Sequence, residues 1–217
     1  MADDVKKYLE DGFYFSYGYD LTASRQRRVT WMQEKSTDPL KLIASDHQYF
    51  WNLALYRDFI WQKVDSRWFA PLIQGYFSQI DGKMSGLDVQ LTLISRRMWH
   101  GAGTRYNARG INDQGYVANF CETEQIMVVG GRFLISHVQI RGSVPVFWEQ
   151  KGLAEEVYLT RNSEMTKKPF GTHFKGIVDA YGPCHIINLL RYNTAREVRI
   201  TTEYVRQVHE FEQKSKL

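Results

Sequence analysis

Five of the six arginines between Leu91 and Gln150, namely Arg96, Arg97, Arg105, Arg109 and Arg141, stand out, with glycines at 101, 103, 110 and 142 among them. A guanidinium presents a planar fork of N–H donors that meets phosphate or carboxylate through two parallel hydrogen bonds, which an ammonium cannot do. Glycine lets an anion approach bare backbone. The pattern therefore reads as a surface for a phosphate-bearing group. A second use stands beside the first. Glu122 and Glu124 alternate on a strand-like run, share one side of it, and suit a row of ion pairs that would hold the arginines in place. The residues alone leave these two uses level. For the two glutamates, structural pairing is preferred over general acid–base work.

Other chemistries find less support. The six histidines show no HExxH spacing and the two cysteines form no CxxC, so no metal and no cofactor are expected. Gly101-Ala-Gly103 lacks the Lys-Ser/Thr of a nucleotide-binding loop. A net charge of +4 is too diffuse for a nucleic-acid protein. Cys121 and Cys184 stand in apolar runs and read as buried free thiols. No apolar run is long enough to span a membrane, and MADDVKKYLEDG has no signal-peptide core, so a cytoplasmic protein is expected. At 217 residues and 43% hydrophobic, the chain can bury a core as one large domain or parts of two.

The elements that would position these residues follow from periodicity. Residues 2–11 read as a short helix. Phe13–Thr22 alternates like a strand. Arg25–Arg28 reads as a solvated basic cluster. Ser45-Asp46 offers a helix cap, followed by Phe50, Leu53, Ala54, Arg57 and Phe59–Trp61 at helical spacing. Asp81-Gly82-Lys83 predicts a turn into a strand at Val89–Ser95, and Asn112–Gly115 predicts another. Tyr116–Cys121 and Glu124–Val129 read as two strands, and Gly130-Gly131 as a hairpin turn into Phe133–Ile140. Residues 151–169 read as a polar loop closed by Lys167-Lys168-Pro169. Thr172–Tyr181 reads as a helix with Gly182 as its C-cap and Pro183 beyond. His185–Leu190 predicts a buried strand of the parallel-sheet kind. Thr201–Gln213 predicts an amphipathic helix with Tyr204, Val205, Val208 and Phe211 on one side. The class is mixed α/β.

Several of these runs carry a family resemblance. FYFSYGYDLTASRQR, LISRRMWHGAGTRYNARGINDQGYVANFCETEQI, VQIRGSVPVFWEQ and IINLL occur in the order seen in Sac-domain phosphoinositide phosphatases, which include endoplasmic-reticulum Sac proteins and the Sac modules of synaptojanins. The resemblance covers about Gly12 to about Leu190. It implies a partial Sac domain. Residues 1–80 would be the end of the N-terminal subdomain and 81–217 the first part of the catalytic one. It also implies a domain facing phosphoinositide-containing membranes from the cytoplasmic side and removing phosphate from their headgroups. In that family the nucleophile is a cysteine followed six positions later by arginine, on a phosphate-cradling loop. This sequence has no such motif. Cys184 is followed by Arg191, seven positions on, and Cys121 by no arginine before Arg132. No catalytic residue is therefore assigned. Gly101 stands where relatives usually have arginine, and Cys121 where they usually have valine. The resemblance leaves two readings. The chain is either the scaffold and basic surface of a phosphatase whose nucleophile lies elsewhere, or an inactive Sac-like subunit of a larger assembly, with other proteins covering its truncated face.

Overall fold

The computed structural model describes residues 12–33, 47–65, 68–102, 109–150, 157–191 and 195–215. The helix expected over 2–11 and the cap expected at Ser45-Asp46 lie outside them. The chain forms two compact units, one of residues 1–99 with 121–140, the other of 100–120 with 141–217.

The first unit is built on a five-stranded sheet with strands in sequence order: β1 (Phe13–Tyr14), β2 (Ile73–Met84), β3 (Leu87–Arg97), β4 (Cys121–Val129) and β5 (Phe133–Arg141). The first strand stops after two residues, well short of the expected Thr22. Side chains capture the backbone instead. Tyr19 N–H donates to Ser16 Oγ at 3.2 Å and Thr22 N–H to Asp20 Oδ1 at 2.9 Å, turns that compete with a ladder. The turn expected at Asp81-Gly82-Lys83 lies inside β2. The chain reverses at Ser85-Gly86, where φ is 51° and 81°. That left-handed pair suits a two-residue hairpin and extends the ladder until Met84 faces Leu87. Strand β2 thus runs unbroken through Ile80 and Asp81. Strand β4 is likewise continuous where two strands were expected, and Tyr116–Phe120 is a loop carrying an isolated bridge from Val117 to Ile111. At Gly130-Gly131 both φ values are positive, 58° and 65°, and Arg132 N–H donates to Val129 O at 3.1 Å, closing the expected hairpin.

One face of this sheet is buried. Leu21, Ile73 and Ile94 form its core, with Tyr14, Tyr19 and Ile126 against them. Helix α1 (Arg25–Gln33) follows Ser24, whose carbonyl accepts from Arg28 N–H at 3.0 Å. Helix α2 (Leu53–Trp61) begins after Asn52, which does not cap it. The Asn52 amide bridges instead to Ala70 O at 3.0 Å and to Leu72 N–H at 2.8 Å, tying the helix start to the approach to β2.

In the second unit, β6 (Trp148–Gln150) pairs with β7 (Val157–Leu159), and two helices follow, α3 (Ser163–Tyr181) and α4 (Ala195–Ser215). Helix α3 starts nine residues before the expected Thr172, with Asn162 Oδ1 accepting from Met165 N–H at 3.0 Å. Pro169, read as a loop breaker, sits within it. An interior proline costs a helix about 3 kcal/mol. The burial of Pro169, Phe170, Phe174 and Ile177 offsets this, and Phe170 and Phe174 pack on Phe211 of α4. Gly182 closes α3 at φ 75°, its N–H donating to Val178 O. The buried face of α4 is carried by Ile200, Thr201, Glu203, Tyr204 and Gln207, with Val205 and Val208 only half-buried. The strand expected at His185–Leu190 is absent. The segment is irregular and open to solvent, Leu189 at 87% exposure, and the pairs β1–β2, β2–β3, β3–β4 and β6–β7 are all antiparallel.

Candidate anion-facing arginines and the buried arginine centre

Consecutive residues on a strand point to opposite faces, and Arg96 and Arg97 end β3 in this way. Arg96 faces the core at 0% exposure, as do Glu122 and Glu124. Its Nη1 donates to Glu122 Oε1 and its Nη2 to Glu124 Oε2, both at 2.7 Å. Its Nε donates to Leu21 O and its Nη2 also to Ala23 O at 3.1 Å. Register sets this geometry, because Arg96 lies opposite Glu122 and Ile94 opposite Glu124. Two carboxylates in one core need a second cation, and Arg27 of α1 supplies it, Nη2 to Glu122 Oε2 at 2.8 Å. Arg25 N–H and Ser136 Oγ donate to Glu124 Oε1 at 2.8 and 2.9 Å. Burial alone would lower the Arg96 pKa, but the adjoining Glu122 and Glu124 charges outweigh it, and the guanidinium is held above its ordinary value. Two arginines and two glutamates make this centre neutral, and it fastens the segment before α1 to the sheet.

Arg27 is buried, contrary to the solvated cluster expected over Arg25–Arg28. The signal was the pair of alternating carboxylates, which one arginine cannot satisfy. Arg97 is half-buried and donates to Gln74 Oε1 at 3.4 Å. Arg105 lies outside the described residues. In the second unit, Arg109 is half-buried, stands over the Trp148 ring at 5.6 Å and donates to Gln150 Oε1 at 3.4 Å. Arg141, the last residue of β5, is exposed. Arg161, which the sequence reading passed over, holds Asp113 by both nitrogens and lies 4.0 Å over the Phe147 ring. That hydrogen bonding keeps the Asp113 carboxyl below its usual range.

Gly101 has φ 66°, and a Cβ there would lie 3.1 Å from Val117 O, so an arginine would be strained at this position. Cys121 is buried, its Sγ 3.1 Å from Ser95 Oγ. Cys184, expected to be buried, is exposed because its segment joins no sheet. It lines an open groove of about 380 Å³ with His185, His209 and Glu212. Cys184 sits in an irregular segment, and the residues after it, His185–Leu190, contain no glycine of the kind a phosphate-cradling loop uses. Among the described residues, no group of three or more His, Cys, Asp or Glu side chains is arranged to hold a metal.

A sequence model of the SacI homology domain matches residues 2–217. The chain belongs to the SacI homology domain family. Similar curated proteins include polyphosphatidylinositol phosphatase INP53 of Saccharomyces cerevisiae, 36% identical over 215 residues, covering 93% of this chain and 19% of that protein. Synaptojanin-1 of Homo sapiens is 36% identical over 197 residues, 86% of this chain and 12% of its own length. Phosphatidylinositol-3-phosphatase SAC1 of Arabidopsis thaliana is 33% identical over 218 residues, 92% and 22%. The chain thus spans between 12% and 22% of the length of these three relatives. No helix among the described residues is long and apolar enough to cross a membrane.

Proposed function

We propose that this chain is the scaffold and lipid-facing part of a phosphoinositide phosphatase, peripheral to a membrane, and that the nucleophile of that reaction comes from outside these 217 residues. The supporting observation is the family match over residues 2–217, with relatives named as phosphatidylinositol phosphate phosphatases. Because Arg96 is committed to Glu122 and Glu124, headgroup contacts in this reading fall to Arg97, Arg109 and Arg141, and the same role is proposed for Arg105. The chemistry asked of them is charge neutralisation and orientation of a phosphate monoester, for which paired N–H donors are suited. The division at residues 80 and 81 into two subdomains belongs to the same proposal.

A chimera tests it. The matching 215 residues of the Saccharomyces cerevisiae phosphatase are exchanged for this chain. Phosphate release from vesicles containing phosphatidylinositol phosphate is expected to persist. A chimera that melts cooperatively and binds those vesicles yet releases no phosphate contradicts the reading and favours an inactive subunit.

A further inference from the structure

The register of the first unit sorts side chains by face. Ile80 lies opposite Leu91, and Leu91 opposite Met127. Gly82, Val89 and Val129 form the next row, and Met84 and Leu87 the last. These rows share one face, the outer one, because Ile94, Arg96, Glu122 and Glu124 alternate onto the buried one. On β5 the bond from Ser136 to Glu124 puts Ser136 on the buried side, so Ile135 and Phe133 alternate onto the outer one. The outer face is apolar towards the two hairpin turns and is not covered there. Phe133 is 67% exposed, Ile80 60%, Met84 53%, Leu87 52% and Ile135 52%. The two turns adjoin, with Gly130 N–H donating to Asp88 O at 2.7 Å.

The charges are sorted as well. Strands β1 to β5 carry four carboxylates, Asp81, Asp88, Glu122 and Glu124. All four alternate onto the inner face, where Glu122 and Glu124 are neutralised by arginine and Asp88 pairs with Lys83 at 3.8 Å. The outer face carries His137 on β5 and, at the end far from the turns, Arg97, and Arg132 extends from the second turn beside the apolar patch. A contiguous exposed apolar patch marks an interaction site. One bordered by an arginine, on a face free of carboxylates, is complementary to an anionic amphiphilic surface.

We propose that the outer face of this sheet docks on an anionic lipid bilayer, with the apolar side chains at the two hairpin turns entering the interfacial layer. This rests on the phosphoinositide reading above for the presence of a membrane, but not on headgroup selectivity. The docking would hold the chain at the lipid surface independently of any phosphate contact.

Co-sedimentation of the 217-residue chain with phosphatidylcholine–phosphatidylserine vesicles, with and without phosphatidylinositol phosphate, tests it. Binding to both vesicle types is expected, and Leu87→Glu with Phe133→Glu should weaken both by at least about tenfold, since each side chain loses its transfer into an apolar phase. Gln79→Glu with Gln90→Glu, which adds the same charge to the opposite face, should change binding less than about twofold. Thermal melts check that both variants fold. Equal loss in the two variants overturns the proposal, as does wild-type binding that the first variant leaves intact. Absence of binding to any vesicle, with concentration-dependent self-association abolished by Leu87→Glu and Phe133→Glu, also overturns it and assigns the face to a second copy. Binding that needs phosphatidylinositol phosphate and ignores the outer face overturns docking while leaving the phosphatase reading untouched.

Discussion

The two faces of the first unit's sheet handle charge in opposite ways. The inner face buries Arg27, Arg96, Glu122 and Glu124 as a neutral centre. The outer face leaves its apolar residues open near the turns, with Arg97 beside Gln74 at the other end. Arg96 and Arg97 are adjacent in the chain and differ only in the parity of their position on β3. A count of arginines therefore overstates the basic surface. Parity along the strand, and the carboxylates facing each residue, decide which cations remain for an anion.

The comparison breaks most directly on these two arginines. Arg96→Met strands two carboxylates in the core and is expected to lower unfolding free energy by about 3–5 kcal/mol. Arg97→Met is expected to cost about 1 kcal/mol or less, and equilibrium urea unfolding of both variants measures the difference. If the two losses are equal, the two faces do not differ in the way described.

His173 sharpens the contrast, because it is half-buried against aromatic rings and a backbone carbonyl. It lies against the Phe120 and Phe174 rings with Nδ1 3.2 Å from Gly115 O. Burial lowers its pKa to about 4, although the Gly115 carbonyl pulls the other way. A base depressed in the folded state binds its proton more readily when unfolded. The contribution is thus fully present above the ordinary value of 6.5 and is lost as pH falls towards about 4. About 1–3 kcal/mol is expected to disappear across that window. His173→Phe should flatten this part of the stability–pH profile, and a profile that keeps its slope would clear His173 of the effect.

Smaller effects belong to single contacts. Asn162→Ala removes the acceptor for Met165 N–H and should destabilise the chain by about 1 kcal/mol in thermal unfolding. Phe133→Glu, on the exposed end of the outer face, should move stability by no more than about 0.5 kcal/mol. A larger loss would mean that this face already has an intramolecular partner.

Much of the sheet was legible from sequence. The Gly130-Gly131 turn and the alternation of Phe133–Ile140 identify a hairpin by local chemistry alone, and Glu122 and Glu124 declare a common face. The errors fell where tertiary contacts override local signals. Asp81-Gly82-Lys83 has turn residues, yet the ladder continues through them to Ser85-Gly86. Pro169 has a breaker's chemistry, yet the Phe170–Phe211 packing holds its helix together. His185–Leu190 has the composition of a buried strand, but composition does not supply a neighbouring strand. At the candidate site, the arginines were recognised as a group. Their division into a buried centre and open positions needed the register, and Arg27 needed the helix that delivers it.

The central claim is that this chain presents a surface to phosphoinositide membranes while lacking a nucleophile of its own. Phosphate release by the 217-residue chain from phosphatidylinositol phosphate vesicles, with bound and free protein separated by sedimentation and Cys184→Ser run in parallel, tests it most directly. The account predicts salt-sensitive vesicle binding, no release above the protein-free blank, and no difference between the wild-type chain and Cys184→Ser. Release that Cys184→Ser abolishes would contradict it.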